Sequence, residues 1–188
     1  EMPVDYVAIN QAKGAKIAVN HLIESGHKHI GYLCCPDSPQ ETGKTRREGF
    51  EQALFEHDIP LFGRDIIEGN VSRKGGYEAM KELLTQDKTK LPTAFFCHND
   101  DVALGAMMAI QQAGLSVPED ISLIGFDDIE ESSLAYPALT TIGGIKDRFA
   151  KELVETILTL AEHKAQTNTI KKEVTPKLII RDTVRQNC

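Results

Sequence analysis

The stretch that decides the fold is "PTAFFCHNDDVALGAMMAIQQAGLSVPEDISLIGFDD", residues 92–128. It opens with an apolar run that is typical of a buried strand. A helical pattern follows, which Asp100 or Asp101 can cap. A glycine and a proline end that pattern before a second apolar run at 121–126. A strand, a helix and a strand joined by short connections predict a parallel pair of strands with a helix packed on it.

The same alternation extends toward both ends of the chain. Strands are predicted at 29–35 and 64–69, and helices at about 12–24, 45–56 and 75–84. Later segments are a short strand within 132–144, a long helix at 145–163 and a last strand at 173–183. The last strand contains Pro176, which indicates an edge strand or a crossover between sheets. The predicted fold class is α/β, a parallel sheet with helices on both faces.

The composition restricts the functional class. The chain has 188 residues, a net charge of -7 and a pI of about 5.4, without a basic stripe that would neutralise phosphates. We therefore expect neither nucleic-acid binding by this chain alone nor docking on an anionic membrane. No apolar run approaches the roughly 20 residues of a membrane span, and no signal peptide is recognisable. The four cysteines are not paired at ligand spacing, so we expect reduced thiols in a cytoplasmic protein, with no metal site and no cofactor.

Polar residues follow four of the predicted strands. In open parallel sheets, ligands bind beyond the carboxyl ends of the strands, which share one edge of the sheet. Asp and Asn at such positions also cap helices and start turns, and this alternative stays open for each of them. The residues at the strand tips are Pro36, Asp37, Ser38, Asn70, Val71, Ser72, His98, Asn99, Asp100, Asp127 and Asp128. Their convergence predicts a ligand site at that edge.

Motifs for catalysis are incomplete in this sequence. The segment "SPQETGKT" (38–45) ends like a phosphate-binding loop, but it lacks the required first glycine, and Glu41 would repel phosphate. The chain has neither a G-x-G-x-x-G nor a G-x-S-x-G motif. Asp127 and Asp128 could act as paired acids of an α/β enzyme, although adjacent residues on a strand point to opposite faces. No catalytic residue is predicted.

Five runs of sequence resemble the effector-binding core of LacI/GalR-type transcriptional repressors. They occur in the order of that family and cover nearly the whole chain from Val7. The runs are "GAKIAVNHLIESGHKHIGYL" (14–33), "RREGF" (46–50), the stretch 92–128, "YPALTTI" (136–142) and "PKLIIRDT" (176–183). Periplasmic sugar-binding proteins share the fold, so a binding protein of a transport system is the alternative function.

The resemblance implies a periplasmic-binding-protein-like (type I) fold, with two α/β lobes, a cleft between them and three crossover strands. Residues 1–10 would end the N-terminal lobe, 11–127 would form the C-terminal lobe, 128–169 would return to the N-terminal lobe, and 170–188 would lead back. The N-terminal lobe is then incomplete, and the helix-turn-helix through which such repressors contact DNA is missing. The implied mechanism is a ligand-dependent rearrangement of the lobes.

The resemblance also assigns effector contacts. Arg46 of "RREGF", Asn99 of "HND" and Asp127 of "GFDD" match the family's ligand-contacting positions, and Thr42 lies on the same loop as Arg46. Val71 stands where the family often has an aromatic residue that stacks on sugars. The expected effector is a carbohydrate, either a sugar or a sugar derivative. The loss of the aromatic platform leaves a protein effector open.

A homodimer is a further implication of the resemblance. Leu104 and Met108, on the helix predicted after residue 100, and Leu134, in a following loop, fall on the family's dimer face. Leu104 and Met108 are four residues apart and therefore share one face of that helix. The alternative, that these are ordinary core residues, stays open.

Overall fold

The computed structural model describes residues 4–34, 40–162 and 169–185. The strands are β1 Tyr6–Ile9, β2 Ile30–Cys34, β3 Ile66–Glu68, β4 Ala94–Cys97, β5 Ser122–Phe126, β6 Thr141–Gly143, β7 Lys171–Val174 and β8 Lys177–Ile179. The helices are α1 Gln11–Glu24, α2 Gln40–Glu56, α3 Arg73–Leu83, α4 Asp100–Gln112, α5 Glu130–Leu134 and α6 Lys146–Glu162. The predicted tip residues Pro36, Asp37 and Ser38 lie outside the described residues.

Six strands form one sheet in the order β3-β2-β4-β5-β6-β8. Every neighbouring pair in this sheet is parallel except β6 and β8, which are antiparallel. A second sheet is formed by β1 and β7, which are parallel. The parallel α/β fold predicted from the alternation of strands and helices is confirmed.

Helices cover both faces of the large sheet, which explains why its strands are continuously apolar. Along β4, Phe95 and Cys97 belong to a core cluster shared with α3 and α4. The alternate residues, Ala94 and Phe96, belong to a second cluster shared with α1 and α2. Both faces of the strand are thus buried, and no position on it is left for a polar side chain.

Helices α3 and α4 approach each other closely because glycines lie at their contact. A Cβ atom on Gly105 would stand 1.9 Å from the carbonyl oxygen of Arg73, and one on Gly76 would stand 2.2 Å from that of Val102. The two backbones therefore touch without intervening side chains. This contact holds the N-terminal end of α4, where the candidate site begins, against the β3–α3 connection.

The last predicted strand, 173–183, is two strands in two different sheets. β7 ends at Val174 in the small sheet, and β8 begins at Lys177 in the large one, with Pro176 between them. The crossover that the proline indicated is therefore confirmed. The sequence reading missed β1, which pairs with β7 from Tyr6↔Lys171 to Ile9↔Val174.

The strand β6 corrects the predicted unit 128–169. That unit was expected to return to the N-terminal lobe as a strand and a long helix. Instead β6 pairs with β5, with Phe126 opposite Ile142, and so belongs to the six-stranded sheet. Helix α6 does leave the large sheet and lies against β1 and β7, where Lys172 Nζ is 3.1 Å from Glu152 Oε2. In the described part of the chain, no helix is long and apolar enough to cross a membrane.

Candidate effector-binding site

Arg46 is the centre of the polar group at the carboxyl edge of the large sheet. Its side chain is buried, on the same face of α2 as the buried Phe50 and Ala53. Its Nε donates to Gln11 Oε1 at 2.9 Å, its Nη2 donates to Asp127 Oδ1 at 3.1 Å, and its Nη1 donates to the carbonyl oxygen of His98. One guanidinium thus joins the start of α1, the end of β4 and the end of β5.

The guanidinium also stacks on Phe126, with its central carbon 3.7 Å from the ring centroid. Burial lowers the pKa of Arg46, and the nearby Asp127 carboxylate opposes that effect. A guanidinium has five N–H donors, and three of them bind the described protein groups. The protein therefore fixes the plane of Arg46 before any ligand binds and leaves part of its hydrogen-bonding capacity for one.

His98 lies beneath this group as a neutral side chain. Burial lowers its pKa to about 4, and the positive charge of Arg46 acts in the same direction. Its Nδ1 is 3.3 Å from the hydroxyl of Tyr32, whose ring stacks on Phe96 and Phe50. The imidazole is therefore a core group, and its carbonyl oxygen is the part that serves the site.

Asp127 places its carboxylate beside Arg46 through an unusual backbone conformation. Its φ is 109°, in the left-handed region that side-chain-bearing residues rarely adopt. Its N–H donates to the carbonyl oxygen of Ile142 at 2.7 Å, which anchors the strand tip. Burial raises the pKa of Asp127, and Arg46 opposes that effect. Oδ1 faces Arg46, and within the described residues Oδ2 has no hydrogen-bond partner, so it can accept from a ligand.

The second acid, Asp128, takes a different direction. Its φ is 52°, and its Oδ1 accepts from Arg181 Nη2 at 2.7 Å. Arg181 also donates to the carbonyl oxygen of Leu139 at 2.7 Å. The two adjacent acids therefore bind different arginines, and this geometry is unlike that of paired acids acting on one substrate.

Asn99 and Ser72 are helix caps at their strand tips. The side-chain oxygen of Asn99 accepts from the N–H of Val102 at 2.9 Å and caps α4. Ser72 Oγ accepts from the N–H of Gly75 at 3.0 Å and caps α3. For Asn99, the capping role that was left open applies to the carbonyl oxygen, and the amide nitrogen is what remains for an effector.

A cleft of about 490 Å³ opens between the two-stranded sheet and the first turns of α2. It combines aromatic and aliphatic surface with amide, hydroxyl and carboxylate groups, as small-ligand sites do. Its lining residues are Tyr6, Ala8, Ile9, Asn10, Gln11, Thr42, Thr45 and Glu173. Thr42 lines this cleft, and Gln11 connects the cleft to Arg46 because it also binds the guanidinium.

Val71 lies away from this lining, exposed in the loop after β3. Gln11, Asn10 and Glu173 were not predicted as site residues, because β1 has no strand pattern in the sequence that would mark its tip. A signal was present: Asn10 precedes a helical pattern and caps α1 by accepting from the N–H of Lys13 at 2.8 Å. Its Nδ2 also donates to Glu173 Oε2 at 2.6 Å, which ties β1 to β7 at the cleft.

The three residues predicted for a dimer face differ in exposure. Leu104 is only 6% exposed and packs in the core with α3, which favours the alternative that it is an ordinary core residue. Met108 is 46% exposed and Leu134 is 74% exposed. Tyr136, at 93%, extends the same surface, since its carbonyl oxygen accepts from Gln111 Nε2 of α4 at 3.0 Å. Met108, Leu134 and Tyr136 are called the apolar surface below.

Metal binding finds no support in the part of the chain that the structure describes. Among these residues, no three His, Cys, Asp or Glu side chains form a group that could hold a metal ion. The only cysteine described in full, Cys97, is buried in the core.

Comparison with known proteins gives a consistent family. A family model described as "Periplasmic binding protein-like domain" matches residues 19–184. The chain belongs to this family. The HTH-type transcriptional repressor PurR of Haemophilus influenzae is 42% identical over 183 residues, which are 96% of this chain and 54% of that repressor. The chain therefore spans about half the length of the curated relatives it matches.

Solved structures of LacI-type regulators have the same fold. A LacI family regulator from Enterococcus faecium with bound ribose superposes with a TM-score of 0.84 at 29% identity, over 100% of this chain and 68% of that one. A dimeric Lac repressor superposes with a TM-score of 0.86 at 30% identity, over 100% of this chain and 66% of that one. The resemblance to the effector-binding core of LacI-type repressors is confirmed.

Proposed function

We propose that this chain binds a small-molecule effector beside Arg46 and Asp127 and forms the dimerising core of a LacI-type transcriptional repressor. The observation that carries the proposal is the arrangement of these two residues. Arg46 is fixed by three protein groups, and Asp127 presents, at the carboxyl edge of the sheet, a carboxylate oxygen that has no partner among the described residues. Such an edge is where open α/β sheets bind ligands.

The proposed effector is purine-related. The relatives named PurR suggest this class. The cleft supports it, because Tyr6 and the aliphatic groups of Ala8 and Ile9 offer a surface for a flat ring. Asp127 can accept from ring N–H groups, and the amide nitrogen of Asn99 can donate to a ring carbonyl. We place this class ahead of the carbohydrate expected from the sequence.

A sugar is the second candidate. The solved regulator with bound ribose is 29% identical to this chain. A carboxylate next to a planar arginine also suits vicinal hydroxyl groups. Binding measurements distinguish the two effector classes, because a purine base has a flat face that can stack on a side chain and ribose does not.

The proposed mechanism is a shift between two arrangements of the lobes. The cleft has one wall on β1 and β7 and the other on α2, so a ligand in it touches both units. An effector that binds one arrangement more tightly will populate that arrangement. In the whole protein, DNA contact would belong to the part of the relatives that this chain does not span. A charge of -7 supports that division of roles. The proposed location is the cytoplasm, where a repressor meets its DNA.

Dimerisation is proposed through the apolar surface. Met108, Leu134 and Tyr136 are exposed on neighbouring elements, and interfaces are enriched in Met and aromatic residues. A related structure is a dimeric Lac repressor. Burial of these side chains against a second copy would remove their exposed apolar surface from water.

The test is thermal unfolding of the full-length protein with adenine, guanine, hypoxanthine and ribose. A ligand at a hundredfold its Kd that binds only the folded state stabilises it by about 2.7 kcal/mol. A purine base that stabilises wild type but not Asp127→Ala supports the proposal. The matched control is Glu119→Ala, an exposed acid on the loop before β5, at the opposite edge of the sheet. Stabilisation that survives Asp127→Ala contradicts the site, and stabilisation by ribose alone replaces the effector class.

A further inference from the structure

The carboxylate of Asp100 binds three residues outside its own helix, which lie in two segments of the chain. It lies at the first turn of α4 and is only 1% exposed. Its Oδ2 accepts from the N–H of Ile129 at 2.9 Å and from Ser132 Oγ at 2.7 Å. Its Oδ1 accepts from Thr141 Oγ1 of β6. Asn99 caps α4, so none of the bonds to the Asp100 carboxylate is needed to form that helix. The carboxylate therefore stabilises the segments that donate to it.

Those segments connect the effector site to the apolar surface. Residues 127–136 begin with Asp127, the proposed effector contact, and end with the exposed Leu134 and Tyr136. Asp100 holds the middle of this segment through Ile129 and Ser132. The path from one surface to the other is therefore ten residues long, with Asp100 as a buried anchor at its centre.

The protein makes room for this anchor. A Cβ atom on Gly125 would stand 2.1 Å from Asp100 Oδ1, so β5 admits the carboxylate only because this position is glycine. Ser132 is itself fully buried, and its carbonyl oxygen accepts from the N–H of Leu139 at 2.8 Å. Burial raises the pKa of Asp100 to about 6, and the carboxylate of Asp127 acts in the same direction. The charge of Asp127 thus acts on the ionisation of Asp100.

We propose that Asp100 is a positioning residue that holds Leu134 and Tyr136 in place for a second copy of this chain and couples that surface to Asp127. The inference rests on the proposed function for its dimer and for its effector acid. A rigid anchor between the two surfaces lets a change at Asp127 reach the apolar surface, whereas a segment free at its centre would absorb that change.

The first measurement is amide hydrogen exchange of the full-length protein, without any ligand. Asp100→Ala should raise exchange about tenfold or more at residues 129–136, because the Ile129 N–H loses its acceptor, while β4 keeps its protection. Asp100→Asn should stay near wild type, since its amide oxygen still accepts from that N–H. Ser132→Ala gives a smaller effect and serves if Asp100→Ala does not fold. Asp101→Ala, which loses only a partly exposed contact with Arg73, is the matched control.

The second measurement is the dimer dissociation constant from sedimentation equilibrium. Asp100→Ala should weaken the dimer about tenfold, and the combined effect of Asp100→Ala and Asp127→Ala should depart from the product of the single effects. Unchanged exchange at 129–136, an equal rise throughout the chain, or strictly multiplicative effects would overturn the inference. Both measurements are made without ligand, so their results do not depend on the proposed effector class. A wild-type protein that is monomeric would show that the proposed dimer, rather than the role of Asp100, is wrong.

Discussion

Arg46 and Asp127 form an ion pair in which the two side chains differ sharply in exposure. Nη2 and Oδ1 are 3.1 Å apart, with the arginine side chain 6% exposed and the aspartate side chain 44% exposed. The protein holds the arginine on four sides, through Gln11, the carbonyl of His98, Asp127 and the ring of Phe126. Arg46 is thus held in place by the protein, while the Asp127 carboxylate stays accessible to solvent. This arrangement suits ligand binding more than stability.

The positive φ of Asp127 allows its roles in effector binding and in folding stability to be tested separately. Asp127→Gly and Asp127→Ala both remove the carboxylate, so each should lose effector binding. Glycine adopts a φ of 109° freely, whereas alanine does not, so Asp127→Gly should be more stable than Asp127→Ala by about 1 kcal/mol. Urea unfolding of the two variants measures the difference. Equal stability of the two would contradict the strained backbone.

Arg46 should tolerate no other cation. Arg46→Lys replaces a planar fork by a single ammonium group, which cannot reach Gln11, the His98 carbonyl and Asp127 together. We expect a loss of about 2 kcal/mol in the free energy of unfolding, together with weaker effector binding. Arg47→Lys on the same helix, where Arg47 makes an exposed pair with Glu51, is the control and should stay within about 0.5 kcal/mol. Equal losses for the two would contradict the role of Arg46.

Stability should fall between about pH 4 and pH 6 because of Asp100. Its pKa is raised to about 6 in the folded protein, mainly by burial and also by Asp127. The folded state therefore binds the proton more tightly than the unfolded state. The stabilisation from the neutral carboxyl is complete below the unfolded pKa and is lost as pH rises through the folded one. Arg46 also lies near enough to interact with Asp100 and reduces the effect.

The measurement is the free energy of unfolding of wild type minus that of Asp100→Asn, followed against pH. The difference should fall by up to about 3 kcal/mol across this range, at roughly 1.4 kcal/mol for each pKa unit. A difference that stays flat or rises with pH would contradict the raised pKa of Asp100.

The contact between α3 and α4 should be too close for even one added methyl group. Gly105→Ala places a Cβ 1.9 Å from the carbonyl oxygen of Arg73, so the helices must separate. We expect a loss of about 2 kcal/mol or more in the free energy of unfolding. Gly63→Ala, where no heavy atom lies within 4 Å of the added Cβ, should cost almost nothing. Thermal unfolding compares the two, and a harmless Gly105→Ala would contradict the close packing.

Leu104 and Leu134 should respond differently to substitution. Leu104→Ala opens a cavity in the core and should cost about 3 kcal/mol of folding stability. Leu134→Asp leaves the core intact, since the side chain is exposed, but should convert the full-length dimer to monomer. Sedimentation velocity and urea unfolding separate the two effects. A dimer that survives Leu134→Asp would exclude this side chain from the interface.

Most of the large sheet could be predicted from the sequence. Buried parallel strands read as continuous apolar runs, and glycines such as Gly26 and Gly114 end the helices with positive φ values. The short strands β1 and β6 were harder. β1 carries exposed and half-buried residues, so its pattern lacks the apolar run of a central strand. The sheet to which β6 belongs depends on pairing with β5, a contact that local sequence does not encode.

The candidate site was predictable where motifs carry it. Arg46 and Asp127 come from family runs, and the structure brings them into contact. Gln11, Phe126 and the His98 carbonyl were not foreseen, because they act through packing and main-chain atoms that no motif marks. Asn99 illustrates the limit of strand-tip reasoning, since its oxygen caps a helix as many such residues do.

The most direct test of the account is isothermal titration calorimetry of hypoxanthine into the full-length protein, with Asp127→Gly and Glu119→Ala in parallel. We expect one site per chain in wild type and in Glu119→Ala, and a loss of affinity of about a hundredfold or more in Asp127→Gly, because the carboxylate is the ligand's acceptor. Binding of equal affinity in all three proteins would contradict a site at Asp127.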